Sequence, residues 1–224
     1  MPTIEHNPFN NLKAVLFDHD GTLVDSETVH CQMWQTILEQ YALDFHRKDY
    51  QQYYQGQPSR LNAEQLCEHY LLPVEPQELL RQKEQATQRY LSQHAFPLMP
   101  GALSVLHRLH RAGIQVAIVT GADRQAVNKT LIDHKLNKLI FCVVSNEDVP
   151  HSKPAPDVYQ HALDLLGLVP SQAVAVEDSQ TGCQSAKAAK LHCIAVTTQS
   201  DRFSQISDHQ CPSLDVAMHY LNIE

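Results

Sequence analysis

The sequence has 224 residues and a mass of 25.3 kDa, enough to bury one sizeable core with room for a smaller appended unit. Hydrophobic residues make up 43% of the chain and charged residues 19%, so we expect an ordered globular protein. The formal charge of −8 argues against non-specific nucleic-acid binding, which needs a basic surface. An acidic chain that binds phosphate would need a local cation, either a side chain or a metal.

The N-terminal segment and the cysteines bear on the location of the protein. The segment "MPTIEHNPFNNLK" lacks the basic start and apolar stretch of a secretory signal, and no apolar run approaches the roughly 20 residues of a membrane-spanning helix. The cysteines form no C-x-x-C pair, which argues against a zinc knuckle or a redox motif. We therefore expect a cytoplasmic monomer with reduced thiols and with no membrane or nucleic-acid partner. The cysteines are Cys31, Cys67, Cys142, Cys183, Cys193 and Cys211.

Five short apolar runs predict buried parallel strands. They are "AVLF" (14–17), "QVAIV" (115–119), "LIFCVV" (139–144), "AVAV" (173–176) and "CIAV" (193–196). Helical patterns alternate with these runs, and two of the helices are followed by a glycine stop, at Gly113 and Gly167. The alternation predicts an α/β fold with an open parallel sheet.

The stretch from about Ser26 to Phe96 breaks this alternation. It reads as several helices with no convincing strand, so we expect a helical insertion after the first strand. The predicted domains are therefore a core of residues 1–25 and 97–224 and a helical domain of residues 26–96. Such an insertion follows the carboxyl edge of the first strand, where ligands of open α/β sheets bind.

Residues with useful chemistry follow four of the predicted strands. Because the carboxyl ends of parallel strands meet at one edge of a sheet, we expect these side chains to lie together. They are Asp18 after the first run, Thr120 and Gly121 after the second, Ser145 and then Lys153 after the third, and Glu177 and Asp178 at the end of the fourth. Carboxylates, a hydroxyl and a lysine together predict a site for a divalent cation and a phosphate group.

The residue types suggest separate roles. Asp18, Glu177 and Asp178 offer the hard oxygen ligands that Mg²⁺ prefers. The Thr120 hydroxyl and nearby backbone N–H groups can bind phosphoryl oxygens, and Lys153 supplies positive charge to the transition state. An alternative is that the acidic pair at 177 and 178 only caps the next helix, with Ser179 as the N-cap residue.

Three aspartates, Asp18, Asp20 and Asp25, fall within eight positions of one another. Asp20 lies just past the strand, at a turn that Gly21 opens. Of Asp18 and Asp20, one carboxylate could attack phosphorus while the other protonates the leaving group and later deprotonates water. A bound metal would neutralise the crowded carboxylates. The alternative is that Asp18 and Asp20 belong to a solvated turn or cap a helix without a catalytic role.

Four segments, "DHDGT", "VTGAD", "HSKPAPD" and "VEDSQTG", resemble in order the four motifs of the haloacid dehalogenase superfamily. The resemblance implies a Rossmann-like parallel sheet core with a helical cap domain inserted after the first strand. It implies that Asp18 forms an aspartyl-phosphate, that Asp20 is the general acid and base, and that Thr120, Gly121 and Lys153 bind phosphate. It also implies that Mg²⁺ is held by Asp18, the Asp20 carbonyl and Asp178, with Glu177 in or beside the shell.

The cap segment resembles the sugar-phosphate phosphatase and β-phosphoglucomutase-like branch of that superfamily. His30 in "DSETVH" falls where that branch often has a histidine, and "YQGQPSR" resembles its specificity turn, with Gly56 shaping the turn and Arg60 as an anion or sugar contact. A packed His30 and a plain surface Arg60 remain alternatives. Gln55 stands where mutases place a lysine, and the spacing from Gly56 to Arg60 is longer than in mutases. The expected substrate is therefore a small phosphorylated metabolite, such as a sugar phosphate or phosphoglycolate, that is hydrolysed.

Other functions differ in features that can be tested. A phosphomutase is the second hypothesis, and a signalling module that keeps a long-lived phosphoaspartate is less favoured because it needs neither Asp20 nor a cap. Dehalogenases and phosphonate hydrolases typically lack the second aspartate. His19 replaces the more common apolar residue between the two aspartates, and we expect its side chain to point away from the site with little effect on chemistry.

Overall fold

The computed structural model describes residues 9–122, 124–198 and 203–223. Among these residues six strands form, and we number them in chain order. They are β1 (Ala14–Phe17), β2 (Gln115–Val119), β3 (Cys142–Val144), β4 (Ala173–Glu177), β5 (His192–Val196) and β6 (His209–Cys211).

The same described residues form nine α-helical segments, of which α2 is a single turn that continues into a π-helical turn over 50–54. The segments are α1 (Ser26–Glu39), α2 (Arg47–Asp49), α3 (Ser59–Tyr70), α4 (Pro76–Gln93), α5 (Ala102–Arg111), α6 (Arg124–Asp133), α7 (Asp157–Leu166), α8 (Gln180–Ala188) and α9 (Leu214–Tyr220).

All six strands pair in parallel in the order β3-β2-β1-β4-β5-β6. Strand β1 is central, between β2 and β4, and Phe17 at its end is in register with Ile118 and Val176. The carboxyl ends of these three strands therefore lie side by side. This confirms the predicted α/β fold with a parallel, Rossmann-like sheet.

The side chains of β1 alternate between the two faces of this sheet. Val15 and Phe17 pack in one buried cluster with residues of α5 and α9, whereas Leu16 packs on the opposite face with residues of α7 and α8. Continued past the strand end, this alternation directs Asp18 toward the α7 and α8 face and His19 toward the opposite face. The pleat of one strand thus separates two neighbouring side chains.

The strand predictions hold closely in the centre of the sheet and less well toward its edges. β1 and β2 have the predicted bounds, whereas β3 begins at Cys142 instead of 139. Leu139 and Ile140 form turn hydrogen bonds back to Leu136, so they pack against the core without joining the ladder. The three-residue β6 and the helix α9 were not predicted.

The chain divides into two compact units, residues 1–24 with 97–224 and residues 25–96. The second unit, which the structure describes throughout, consists of helices without a strand and has its own buried cluster around Trp34, Tyr54 and Leu66. Asp25 accepts a hydrogen bond from the Thr28 backbone (3.0 Å) and is therefore the N-cap of α1. That the helical unit acts as a cap stays a prediction.

No helix within the described ranges is long and apolar enough to cross a membrane. The six cysteines are free thiols, and Cys31, Cys183, Cys193 and Cys211 are buried. The cytoplasmic location and the monomeric state remain predictions.

Candidate active site

Lys153 is the centre of the site at the carboxyl edge of the sheet. Its ammonium group donates hydrogen bonds to Asp18 Oδ1 (2.5 Å), to Glu177 Oε1 (2.7 Å) and to the Val119 carbonyl (2.9 Å). These three acceptors match its three N–H donors. The side chain is 7% exposed, and the two carboxylates raise its pKa against the opposing effect of burial. Lys153 therefore joins the ends of β1, β2 and β4 as a buried cation.

Glu177 ends β4 and is fully buried. Its Oε1 also accepts a hydrogen bond from the Tyr159 hydroxyl (2.6 Å), and its Oε2 accepts one from Ser179 (3.3 Å). A Cβ at Gly182 would lie 2.0 Å from Oε2, so the carboxylate rests directly against the first turn of α8. Ser179 caps that helix by accepting from the Gly182 backbone (3.0 Å), so the capping predicted for Ser179 is present together with the acidic cluster.

Asp178 lies close against the turn that follows β1. Its Oδ1 accepts a hydrogen bond from the Thr22 hydroxyl (3.2 Å). Gly21 has a φ of +80°, and a Cβ there would lie 2.0 Å from Asp178 Oδ2. The turn thus needs glycine both for its left-handed backbone and for the approach of a carboxylate.

The carboxylates of Asp18, Glu177 and Asp178 form a cluster that fits a metal ion. Each offers one oxygen, and these oxygens lie within 4.8 Å of one another. Burial raises the pKa of Asp18 to about 7 and that of Asp178 well above its usual value, with the neighbouring negative charges adding to the effect. Three carboxylates against the single Lys153 ammonium favour a further cation, and an all-oxygen set suits Mg²⁺.

Thr120 follows β2 and is buried beside the Val119 carbonyl that Lys153 contacts. Its backbone N–H donates to the Val144 carbonyl (2.9 Å), and its hydroxyl accepts from the Ala122 backbone (3.0 Å). Gly121 is exposed at the start of the next loop. The segment "VTGAD" ends at Asp123, which lies outside the described residues.

Asp20 takes a different direction from Asp18. Its Oδ2 lies 3.1 Å from His19 Nδ1, and its side chain is 31% exposed. The structure brings Asp18, Lys153, Glu177 and Asp178 close together, while the Asp20 carboxylate lies beside His19.

The residues predicted in the helical unit have distinct surroundings. His30 Nδ1 is 3.1 Å from the ammonium group of Lys83, and its ring packs edge-on against Phe96. Arg60 is exposed and pairs with Glu64 one helical turn later (3.1 Å). His30 is thus part of a packed polar pair, and Arg60 lies at the surface.

The turn at Gly56 is tied to α1 through a single carboxylate. Gly56 has a φ of +74°, and its N–H donates to Glu27 Oε1 (3.3 Å). The other oxygen, Oε2, accepts from the Tyr50 hydroxyl (2.6 Å). Glu27 therefore holds the predicted specificity turn in place.

Lys83 was missed from the sequence because α4 is rich in charged and amide residues, and none stands out. It is 1% exposed, its ammonium group donates to the Thr87 hydroxyl (3.0 Å), and its Nζ lies 5.7 Å from the centroid of the Trp34 ring. Burial lowers its pKa to about 8, although Glu27 opposes the shift.

Lys83→Met is expected to flatten the dependence of stability on alkaline pH. Between pH 8 and 10.5 the unfolded chain still binds the Lys83 proton and the folded chain releases it, so the stability of the wild type rises with pH in this range. The shift corresponds to about 3 kcal/mol, which the variant lacks. Urea unfolding at a series of pH values measures this. The exposed Lys48→Met is the matched control, and parallel wild-type and Lys83→Met profiles would contradict the prediction.

The chain is similar to known proteins along most of its length. A family model described as "Haloacid dehalogenase-like hydrolase" matches residues 15–196. Protein CbbY of Rhodobacter capsulatus is 31% identical over 218 residues, covering 92% of this chain and 95% of that protein. Fructose-1-phosphate phosphatase YqaB of Escherichia coli strain K12 is 29% identical over 191 residues, covering 84% of this chain and 98% of that protein.

A similar fold occurs among solved structures. The crystal structure of a HAD family hydrolase from Deinococcus radiodurans R1, with bound phosphate and sodium, matches with a TM-score of 0.79 and 25% identity. The match covers 95% of this chain and 97% of that chain.

Proposed function

We propose that this chain, which belongs to the haloacid dehalogenase-like hydrolase family, is an Mg²⁺-dependent phosphatase that acts on a small phosphorylated metabolite through an aspartyl-phosphate intermediate. The observation that supports this most directly is the buried contact of Lys153 with Asp18 and Glu177, beside the carboxylate of Asp178. This arrangement combines a nucleophile, a fixed cation and oxygen ligands for a metal.

The relatives support the substrate class. One relative is named a fructose-1-phosphate phosphatase, and a solved relative holds phosphate. We infer from these names that the substrate of this chain is a sugar phosphate or a similarly small phosphate monoester.

In the proposed reaction the Asp18 carboxylate attacks phosphorus, and the bond from phosphorus to the ester oxygen breaks. The leaving oxygen takes a proton from Asp20. Asp20 then removes a proton from water, the water oxygen attacks phosphorus, and the bond from phosphorus to the Asp18 oxygen breaks. Inorganic phosphate leaves and the Asp18 carboxylate is restored.

The remaining residues bind charge during this transfer. Lys153 and the Thr120 hydroxyl would stabilise the negative charge on the phosphoryl oxygens. Asp18, the Asp20 carbonyl and Asp178, with Glu177 in or beside the shell, would hold Mg²⁺, which would supply further positive charge to the phosphoryl group.

The residues of the helical unit are proposed to select the substrate. Residues 26–96 would act as a cap that moves on hinges near 25–27 and 96–100. His30 and Arg60 would contact the substrate. Gln55, in place of the mutase lysine, favours hydrolysis over phosphoryl transfer between sugar positions.

The test is phosphate release from fructose 1-phosphate, other sugar phosphates, phosphoglycolate and nucleotides, with Mg²⁺ or with EDTA. We expect release that requires Mg²⁺ and that falls about 10²- to 10⁴-fold in Asp20→Ala, because an alkoxide needs a proton to leave. The matched control is Asp164→Ala, because Asp164 is an exposed aspartate in the same compact unit as Asp20. Unchanged release in Asp20→Ala would contradict the assigned role of Asp20. Interconversion of sugar phosphates without phosphate release would identify a mutase instead.

A further inference from the structure

His19 is fully buried between two polar groups. Its Nδ1 lies 3.1 Å from Asp20 Oδ2, and its Nε2 lies 3.0 Å from the hydroxyl of Thr130 on α6. The ring points to the opposite sheet face from Asp18. However, it contacts the carboxylate to which we assign proton transfer, whereas the sequence predicted a side chain directed away from the site with little effect on chemistry.

Thr130 fixes which way the histidine ring faces. Its hydroxyl donates to the Ala126 carbonyl (3.1 Å), so its only hydrogen is already used. The hydroxyl oxygen must then accept the bond from His19 Nε2–H, which leaves Nδ1 for Asp20. A buried ring with both nitrogens paired has one favourable orientation, since turning it would leave two polar atoms unpaired.

The support behind this contact is rigid. Thr130 is buried, and Val127, one turn earlier in α6, belongs to the same core cluster as Val15 and Phe17 of β1. By contrast, Asp20 is 31% exposed at a turn after the strand. The buried ring thus contacts this more exposed carboxylate from a closely packed part of the core.

We propose that His19, itself held by Thr130, is a positioning residue that fixes the direction of the Asp20 carboxylate for proton transfer to the leaving group. This rests on the proposed function, in which Asp20 is the general acid. Proton transfer needs the carboxyl within hydrogen-bond reach of the leaving oxygen. A misplacement of about 1 Å can cost about 10²-fold in rate.

The test uses the leaving group, because an alkoxide needs a proton and p-nitrophenolate leaves without one. We expect His19→Leu to lower kcat/KM for the best sugar phosphate by about 10- to 100-fold, with a small change in KM. We expect a much smaller loss with p-nitrophenyl phosphate. A purely structural role would lower both substrates alike.

Thr130 offers a matched pair of variants. The measured ratio is kcat/KM for the sugar phosphate divided by kcat/KM for p-nitrophenyl phosphate. Thr130→Ser keeps the hydroxyl and should keep the wild-type value of this ratio. Thr130→Val has a similar shape without the hydroxyl and should reduce the ratio as His19→Leu does. This pair also replaces His19→Leu if that variant fails to fold, which thermal unfolding shows.

Asp20→Ala separates the two proposals. The comparison uses kcat/KM, which reports release of the leaving group and not the later water attack that Asp20 also assists. Suppose that Asp20→Ala spares kcat/KM for p-nitrophenyl phosphate, while His19→Leu and Thr130→Val affect both substrates equally or not at all. The positioning role is then overturned, and the phosphatase proposal stands. If Asp20→Ala lowers kcat/KM equally for the sugar phosphate and for p-nitrophenyl phosphate, the proposed role of Asp20 as general acid is wrong.

Discussion

Asp18→Asn is expected to reduce phosphate release by about 10⁴-fold or more, the largest effect of any single change in this chain. The reason is chemical, because an amide is a poor nucleophile and cannot form the aspartyl-phosphate. The shape of the side chain is kept, and Lys153 retains its bonds to Glu177 and to the Val119 carbonyl. Steady-state turnover and acid-quenched labelling with radioactive substrate measure the two consequences, lost release and lost phosphoenzyme.

The loss of phosphate release in Asp18→Asn must be distinguished from a loss of folded protein. Burial raises the pKa of Asp18 to about 7, so its ionised form is unfavourable in the fold when no metal is added. The neutral amide avoids this cost, which is complete only above pH 7, so at pH 8 in EDTA we expect the melting temperature of Asp18→Asn to equal or exceed that of the wild type. Asp164→Asn serves as the exposed control. A folded Asp18→Asn that still forms a labelled phosphoenzyme would show that another residue is the nucleophile.

The fold could be predicted in the middle of the sheet because burial there is complete on both faces. The residues of β1 and the last four of β2 are buried, and such strands read as continuous apolar runs. β6 could not be predicted in this way, since it has three residues, and His209 and Gln210 are polar and only half-buried. The formation of a short edge strand depends more on packing against the neighbouring strand than on its own residues.

The convergence of Asp18, Lys153, Glu177 and Asp178 could be expected because each follows a predicted strand of a parallel sheet. What the sequence could not supply is contact between elements distant in the chain. Tyr159 pairs with Glu177, and His19 pairs with Thr130 across 111 positions. Such pairs depend on the faces that packed helices present, and one sequence contains no signal for that choice.

Glu177 shows how a predicted ligand can have a second task. It was predicted as a metal ligand, and it belongs to the carboxylate cluster that fits a metal. Yet its Oε1 already accepts hydrogen bonds from both Lys153 and Tyr159. It therefore holds the lysine ammonium in place, whichever of its oxygens faces a metal. This coupling makes Lys153 important for stability as well as for phosphate binding.

Lys153→Met is expected to lower the free energy of unfolding by about 3 to 5 kcal/mol at pH 8, since it removes one partner of a buried ionic network. Asp18 and Glu177 would remain buried without their cation, and the Val119 carbonyl would lose its donor. Urea unfolding in EDTA measures this loss. We also expect phosphate release by the variant to fall about 10²- to 10³-fold, because the fixed positive charge at the transferring phosphoryl group is gone.

The pH dependence of that loss distinguishes uncompensated charge from poor packing. Without Lys153, the pKa of a buried carboxyl group rises, and a group with a raised pKa in the fold regains stability as the pH falls. The difference in the free energy of unfolding between Lys153→Met and the wild type should therefore become smaller from pH 8 to pH 5. Lys138→Met, at an exposed lysine of the same unit, should stay close to the wild type throughout. A gap that stays constant with pH would mean that the methionine side chain fits badly, and that the buried carboxylates do not need the ammonium group as their counter-charge.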